Sequence, residues 1–184
     1  KTKSSFSIAI TNPNIRWQAA YRLLSYNISS KLKPFDFKNP FGVQCTINGD
    51  LNKEGDPNIR VEANIKNNEL SYFDHKVTDC SFKGVFTNEY QKNKGVSDEN
   101  SAILLDDFRG KVHSIPFTTK KMMILDLKKP IASGAFVSRF DLEQLNQTLV
   151  KQTLTFDSGQ ADLRLAFKAD VVNLEMQKPF LIGS

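Results

Sequence analysis

Few side chains in this sequence could do covalent chemistry, and their spacing matches no catalytic motif. His75 follows Asp74 in a turn-like segment, and His113 lies within an alternating strand pattern. A nucleophile and its base need a third group that orients the base, and neither histidine has such a group at a matching spacing. Carboxylates adjoin at 98–99 and 106–107, but neighbouring residues on a strand point to opposite faces. We therefore expect that this chain is not an enzyme.

The sequence also lacks a metal or cofactor motif that meets its chemical requirements. The turn at Asp50–Gly55 resembles the opening of a calcium loop, but the twelfth position, which must supply a bidentate carboxylate, is Val61. Cys45 and Cys80 belong to no CxxC pair, so they do not indicate a zinc or redox site. They could form a disulfide in an oxidising compartment or remain two buried free thiols, which we favour. We expect no metal and no cofactor.

Composition is typical of a single folded domain spanning residues 1–184, with 40% hydrophobic and 24% charged residues. The net charge of +5 is scattered, and its densest run, at 120–129, contains no arginine. A nucleic-acid surface should combine clustered basic residues with exposed aromatic ones, so we expect no nucleic-acid partner. Fourteen phenylalanines, against four tyrosines and one tryptophan, indicate a large apolar interior.

The apolar stretches are too short to cross a membrane as a helix. The most apolar one, 131–137, falls far short of the roughly 20 residues that a span needs. The chain begins at Lys1 without a signal peptide and ends on an apolar run at 179–182. We expect a fragment or processed form of a larger protein, whose targeting signal and membrane anchor lie elsewhere.

The clearest helical pattern comes early in the chain. Asn12 and Pro13 suit a helix N-cap and first turn, and Pro34 prevents continuation. One apolar stripe recurs at helical spacing, and it consists of Trp17, Ala20, Tyr21, Leu24 and Ile28. The pattern predicts an amphipathic helix at about 13–31 that packs on an apolar surface.

After Pro40 the hydrophobic period changes from 3.6 to 2, which indicates strands with one wet and one apolar face. The first two strands, 43–47 and 59–65, flank a segment dense in turn formers, 48–57, and are predicted to form an antiparallel hairpin. Further strands are predicted at 70–72, 80–85, 103–105, 110–117, 121–127 and 131–137. A short helix is predicted at 141–149 and more strands at 153–176. The fold class is therefore mainly β, with a meander at about 41–137 and two helices.

Short motifs follow one another in order between Pro34 and Leu163, which is about seven-tenths of the chain. They are Pro34-Phe35-Asp36, Val43–Gly49, Gly55-Asp56-Pro57 leading to Asn67-Asn68, Phe82–Asn88, Asp98–Ser101, Phe108-Arg109-Gly110 leading to Ile115-Pro116-Phe117, Leu125–Pro130 and Phe140-Asp141-Leu142. In order and spacing they resemble the C-terminal region of the AsmA-like family of bacterial envelope proteins. That family is related to TamB and to bridge-like lipid-transfer proteins.

The resemblance implies an elongated, curled antiparallel sheet with an apolar inner groove, in the periplasmic part of a protein anchored in the inner membrane. It implies a role in outer-membrane biogenesis and in phospholipid movement between membranes, and no catalytic residues. The expected partners are phospholipid or another acyl-chain ligand, and other envelope proteins. Residues expected to line the groove are Ile59, Val61, Ala63, Ile65, Leu163, Leu165 and Phe167.

A closed core would use the same alternating residues. The alternative is therefore a structural or adhesive β-sandwich module that binds protein or glycan, with a sealed interior and exposed aromatic residues at its loops.

Overall fold

A computed structural model describes residues 4–24, 26–52, 54–147, 155–172 and 175–182. Ten strands dominate it: β1 Ser5–Ile15, β2 Phe35–Phe37, β3 Phe41–Asp50, β4 Asn58–Tyr72, β5 His75–Thr87, β6 Ala102–Val112, β7 Ile115–Leu125, β8 Ile131–Asp141, β9 Gln160–Val172 and β10 Glu175–Ile182. The helical elements are α1 Trp17–Ala20, a 3-10 turn Tyr21–Leu23, α2 Tyr26–Leu32 and a 3-10 helix Leu142–Gln147.

All ten strands belong to one antiparallel sheet. Its order is β1-β3-β4-β5-β6-β7-β8-β9-β10, and the short β2 pairs with the far part of β4. From β3 to β10 each strand pairs with the next one along the chain, so the sheet is a meander. In the described part of the chain, β1 and β10 each pair on one side only, which leaves the sheet open. The mainly β meander predicted from the sequence is confirmed, and among the described residues no second sheet stacks on it to form a sandwich.

The N-terminal helix begins later than predicted. Residues 13–15, assigned to the first helical turn, lie in β1, where Ile15 pairs with Phe41. Asn12 does accept a hydrogen bond from the backbone N–H of Asn14 at 2.9 Å, as an N-cap would, but it does so at an irregularity in the strand around Pro13. Pairing with β3 outweighs the local capping signal, because the sheet satisfies the backbone groups that a first helical turn would leave free.

The helical region is also interrupted. The 3-10 turn ends at Leu23, the next residue, Leu24, has an extended backbone with φ −92° and ψ 163°, and α2 begins at Tyr26. The predicted apolar stripe nevertheless faces the sheet: Trp17 and Ala20 pack against one buried cluster, and Leu24 and Ile28 belong to another. Short segments with an apolar stripe can cover a sheet without forming one continuous helix.

One strand and one helix predicted downstream have different boundaries in the structure. Residues 110–117 are not one strand, because a two-residue turn at His113 and Ser114 divides them into the ends of β6 and β7. Both turn residues have positive φ, 49° and 70°, as a tight hairpin turn requires. His113 is therefore a turn residue and not a strand residue. In the C-terminal region, the predicted helix at 141–149 appears as the 3-10 helix, and residues 148–154 lie outside the described part.

Bulges near the middle of β4, β5 and β6 bend the sheet. The register of the β4–β5 pairing shifts between Ile65 and Asn68 on β4, and that of the β5–β6 pairing shifts between Thr78 and Lys83 on β5. Asn67, Asp79 and Asp107 have φ of 44°, 51° and 51° at these shifts. Asn and Asp tolerate this left-handed conformation better than most residues, and bulges bend a strand and increase its twist. Three short polar residues thus adopt the left-handed backbone conformation at the bulges of these strands.

Candidate apolar binding face

The strand registers place apolar residues in continuous rows across the sheet. In one row each residue is the direct partner of the next, over eight strands from β1 to β9. This row is Ile10, Cys45, Val61, Phe86, Ile103, Ile124, Ala132 and Ala169. Direct partners in an antiparallel pair share one face, so these residues define a single side of the sheet, which we call the apolar face.

A second row on the same face joins the two groups of residues that the sequence singled out. It begins at Ala63 on β4 and ends at Phe167 on β9. Its members, in strand order, are Ala63, Gly84, Leu105, Met122, Gly134 and Phe167. Residues about a hundred positions apart in the sequence therefore face the same side of one sheet.

The seven predicted groove residues all lie on the apolar face, but at two places separated by four strands. Ile59, Val61, Ala63 and Ile65 are on β4, where Ile65 is buried and the other three are half-buried. On β9, Phe167 is buried and Leu165 is half-buried, whereas Leu163 is 51% exposed. Burial on this face decreases from the helix-covered strands β3–β6 towards the far end of β9.

Six phenylalanines form a connected series of ring contacts along the apolar face. Successive ring centroids lie 6.0, 5.0, 5.0, 5.6 and 5.3 Å apart, within the usual range for favourable aromatic pairs. The series runs through Phe37, Phe82, Phe108, Phe117, Phe136 and Phe167. It continues at one end to Trp17, whose ring lies 5.2 Å from Phe37. Of the six, Phe167 alone was predicted to line the groove; for the others the high phenylalanine content was the only signal of an aromatic series.

An apolar cavity of about 190 Å³ lies between the helical segment and the apolar face. Its lining includes Trp17 and Leu24 from the helical segment and Ala63, Phe82 and Leu105 from the sheet. The indole N–H of Trp17 is buried and finds no hydrogen-bond acceptor among the residues that the structure describes. A buried donor without an acceptor is costly, so this N–H is an unsatisfied polar group in a residue that lines the apolar cavity.

A second, wider cavity of about 910 Å³ lies beside α2 and combines apolar and polar lining. Ile28 and Phe86 border it on the apolar side, and Ser97 and Asn88 on the polar side. Lys128 donates a hydrogen bond to Glu99 at 2.6 Å on its rim, and this bond holds the pKa of Glu99 below its usual range. Because Phe86 lines both cavities, the apolar cavity adjoins a more polar mouth.

The two cysteines are free thiols. Cys45 is on β3 and Cys80 on β5, with β4 between them, and their partners on β4, Val61 and Asn68, are seven residues apart. Two strand spacings of about 5 Å and about 20 Å along the strand therefore separate their backbones, whereas a disulfide needs Cα atoms within about 7 Å. The disulfide alternative is excluded, in agreement with the free-thiol alternative. Burial raises the pKa of Cys45 above its usual value and that of Cys80 to about 11, which makes both poor nucleophiles.

The remaining candidates for chemistry are dispersed on the surface. His75 and His113 are both exposed, at the start of β5 and in the β6–β7 turn. Asp50 accepts a hydrogen bond from the backbone N–H of Asn52 at 2.9 Å, which is the usual role of Asp in a turn. Within the described ranges no three acidic, histidine or cysteine side chains converge as a metal site would require.

Fold and site together define a single open antiparallel sheet whose apolar face is partly covered by a short helical segment. Comparison with protein-family models, with curated proteins and with solved structures finds no match to this chain. Among the described residues, no helix combines the length and hydrophobicity needed to cross a membrane.

Proposed function

We propose that this chain binds phospholipid acyl chains along its apolar face and handles them without covalent chemistry. The observation that carries the proposal is the pair of uninterrupted apolar rows from β4 to β9, together with the cavity beneath the helical segment. Each buried acyl methylene contributes about 0.8 kcal/mol, so on the order of ten methylenes buried on this face would supply about 8 kcal/mol, the free energy of a micromolar complex. The resemblance to AsmA-like proteins supports the same function in a periplasmic part of a membrane-anchored protein.

The cavity is large enough for part of an acyl chain. Engineered apolar cavities of about 150 Å³ bind benzene-sized ligands, and this one is about 190 Å³. A longer chain would continue over the less covered surface near Phe136 and Leu165.

Trp17 provides a direct test because it is the only tryptophan in the sequence and lines the cavity. Vesicles of phosphatidylcholine with brominated acyl chains should quench its fluorescence, since bromine quenches indole only at short range. Vesicles of the same lipid without bromine should not. Absence of any difference between the two lipids would contradict the proposal.

Gly84 allows the cavity to be filled by design. A Cβ added at Gly84 would meet its nearest atom, a ring carbon of Phe82, at 3.4 Å, so the backbone accepts a side chain there. Gly84→Leu should occupy the cavity and reduce bromine quenching several-fold. The matched control is Lys83→Leu, which adds the same side chain to the opposite face of β5 and should quench like the wild type. Native mass spectrometry should in parallel show phospholipid retained by the wild type.

Exposed aromatic residues at one turn favour a second candidate function, binding of glycan or protein. Phe73, in the β4–β5 turn, is 66% exposed, and its ring lies 4.8 Å from Tyr72, which in turn lies 4.6 Å from Phe35. Such a cluster resembles the exposed aromatics expected of an adhesive module. Phe73→Ala should abolish that binding and leave bromine quenching of Trp17 unchanged, which separates the two functions.

A further inference from the structure

The two edges of the sheet differ in how well they are protected against pairing with another chain. β10 contains Glu175, Lys178 and Pro179, and its pairing with β9 is irregular between Gln177 and Phe180. Charges, proline and bulges are the features that natural edge strands use to prevent pairing with other chains. β10 has all three.

β1 lacks charge, and its proline and its register shift are confined to the segment around Pro13, near its C-terminal end. Its 11 residues include no charged side chain, and it pairs with β3 in unbroken register from Ser5 to Asn12, ahead of Pro13. Among the 10 residues of β3, Asp50 is the only charged one. In a chain with 24% charged residues, such depletion over two adjacent strands is typical of the core of an interface.

Apolar side chains are exposed at this same edge. Ile8 and Ile10 are 47% and 41% exposed, and they share the apolar face with their partners Ile47 and Cys45. Phe6 lies over Gly49, where an added Cβ would come within 2.4 Å of its ring. β1 is therefore held in a defined register on β3 and presents its outer backbone groups and two isoleucines to any strand that adds to the edge.

We propose that β1 pairs with β1 of a second copy of this chain, antiparallel and centred on Ile8. A second copy presents the same uncharged strand, so no charge faces another across the junction. Ile8 would lie opposite Ile8, and Phe6 opposite Ile10, which covers the exposed isoleucines. The two-fold axis is perpendicular to the sheet, so both apolar faces lie on the same side and become continuous.

Pairing of β1 with β10 of another copy is the less favourable arrangement. It would set an uncharged strand against one that carries two charges and a proline. It would also leave the uncharged β1 edge of one copy unpaired, and such head-to-tail contacts do not close unless they form a ring. The β1–β1 contact closes after two copies. It does not depend on lipid binding, and either proposal can fail without the other.

The mass of the whole chain in solution tests the dimer. Light scattering after size-exclusion chromatography should give twice the 20.8 kDa of one chain. Ile8→Lys places two lysines opposite each other at the two-fold axis, so it should raise the dissociation constant of the dimer at least about tenfold. Leu163→Lys is the matched control, because Leu163 is exposed to a similar degree on the same face but lies on β9.

Cross-linking tests the register independently of the lysine variant. Opposed residues in an antiparallel pair have Cα atoms about 4.5–5.5 Å apart, within the range of a disulfide. Ile8→Cys should therefore form a covalent dimer on mild oxidation, and Leu163→Cys should not. A wild-type chain that is monomeric at all concentrations, an open-ended assembly, a dimer unaffected by Ile8→Lys, or an Ile8→Cys variant that does not cross-link would overturn the proposal.

Discussion

The rings of Phe136 and Phe167 stack in parallel planes across β8 and β9, with centroids 5.3 Å apart and planes 4° from parallel. Phe167 is not the direct partner of Phe136; its partner is Gly134, whose missing side chain leaves room for the ring to lean towards its neighbour. A Cβ at Gly134 would come within 3.1 Å of the Phe167 ring. This pair anchors the far end of the aromatic series.

Truncation of Phe167 should show how much the far end of the apolar face contributes to stability. Phe167 is 7% exposed, so Phe167→Ala removes buried apolar area and leaves a cavity. We expect the free energy of unfolding to fall by about 3 kcal/mol, measured by urea denaturation. Leu163→Ala, at a 51% exposed position on the same strand, should cost less than about 1 kcal/mol. Equal losses would mean that Phe167 is not packed as described.

The bulge residue Asp107 offers a test of the bend. Its φ is 51°, and its side chain is exposed, so substitutions there report mainly on backbone conformation. Asp107→Gly should leave stability unchanged or raise it slightly, because glycine adopts positive φ freely. Asp107→Val should lower the free energy of unfolding by about 1–2 kcal/mol. If both variants behave alike, the left-handed conformation at this bulge is not required.

Cys80 should make stability fall in alkaline solution. Its pKa is raised from 9.0 to about 11 by burial, so above pH 9 the unfolded chain loses a proton that the folded chain keeps. The unfolded state then binds fewer protons, and the free energy of unfolding decreases as pH rises. This contribution is intact below pH 9 and is lost between pH 9 and about 11, to a total of roughly 2–3 kcal/mol.

Other groups titrate in the same range, so the comparison is with Cys80→Ala. Urea midpoints of both proteins, measured at pH 8 and at pH 10.5, should show a steeper fall for the wild type. An equally steep fall in Cys80→Ala would assign the effect to other groups. At pH 8, a thiol reagent should react with Cys45 and Cys80 only after urea is added, because both are buried.

Asn100 should be essential for the long loop between β5 and β6. Its side-chain oxygen accepts a hydrogen bond from the backbone N–H of Gln91 at 2.9 Å, and its amide donates to the carbonyls of Gln91 and Gly95 at 2.9 and 2.5 Å. Asn100→Asp keeps the shape of the side chain, but an ionised carboxylate cannot donate hydrogen bonds. The carbonyls of Gln91 and Gly95 would then face a negative charge in place of a donor. We expect a loss of about 2 kcal/mol in urea denaturation.

Asn12→Asp is the control for this change. Asn12 accepts one hydrogen bond from the backbone of Asn14 and is exposed, and a carboxylate can accept the same bond. Its effect should stay within about 0.5 kcal/mol. A similarly small effect of Asn100→Asp would show that the loop does not depend on the two donated bonds.

Much of the strand content could be predicted because alternation is a local property. Ile59, Val61, Ala63 and Ile65 alternate with polar residues, and a strand with one buried face requires that pattern. The same rule located β9 from Leu163, Leu165 and Phe167. The predicted start of the N-terminal helix was wrong because it rested on a local capping signal at Asn12. The pairing that holds this segment in β1, such as that of Ile10 with Cys45, joins residues far apart in the sequence.

The amino-acid sequence alone determined which residues face the same way along each strand, since side chains alternate with a period of two. It could not determine which strands are neighbours or in what register, because the hydrogen bonds that decide this are between backbone groups that every residue carries. Only the tertiary structure aligns Ala63 with Phe167 in one row and places Trp17 over the cavity. Only the tertiary structure, too, makes β1 and β10 the two edges of the sheet, of which β10 carries charges that oppose pairing with another chain and β1 carries none.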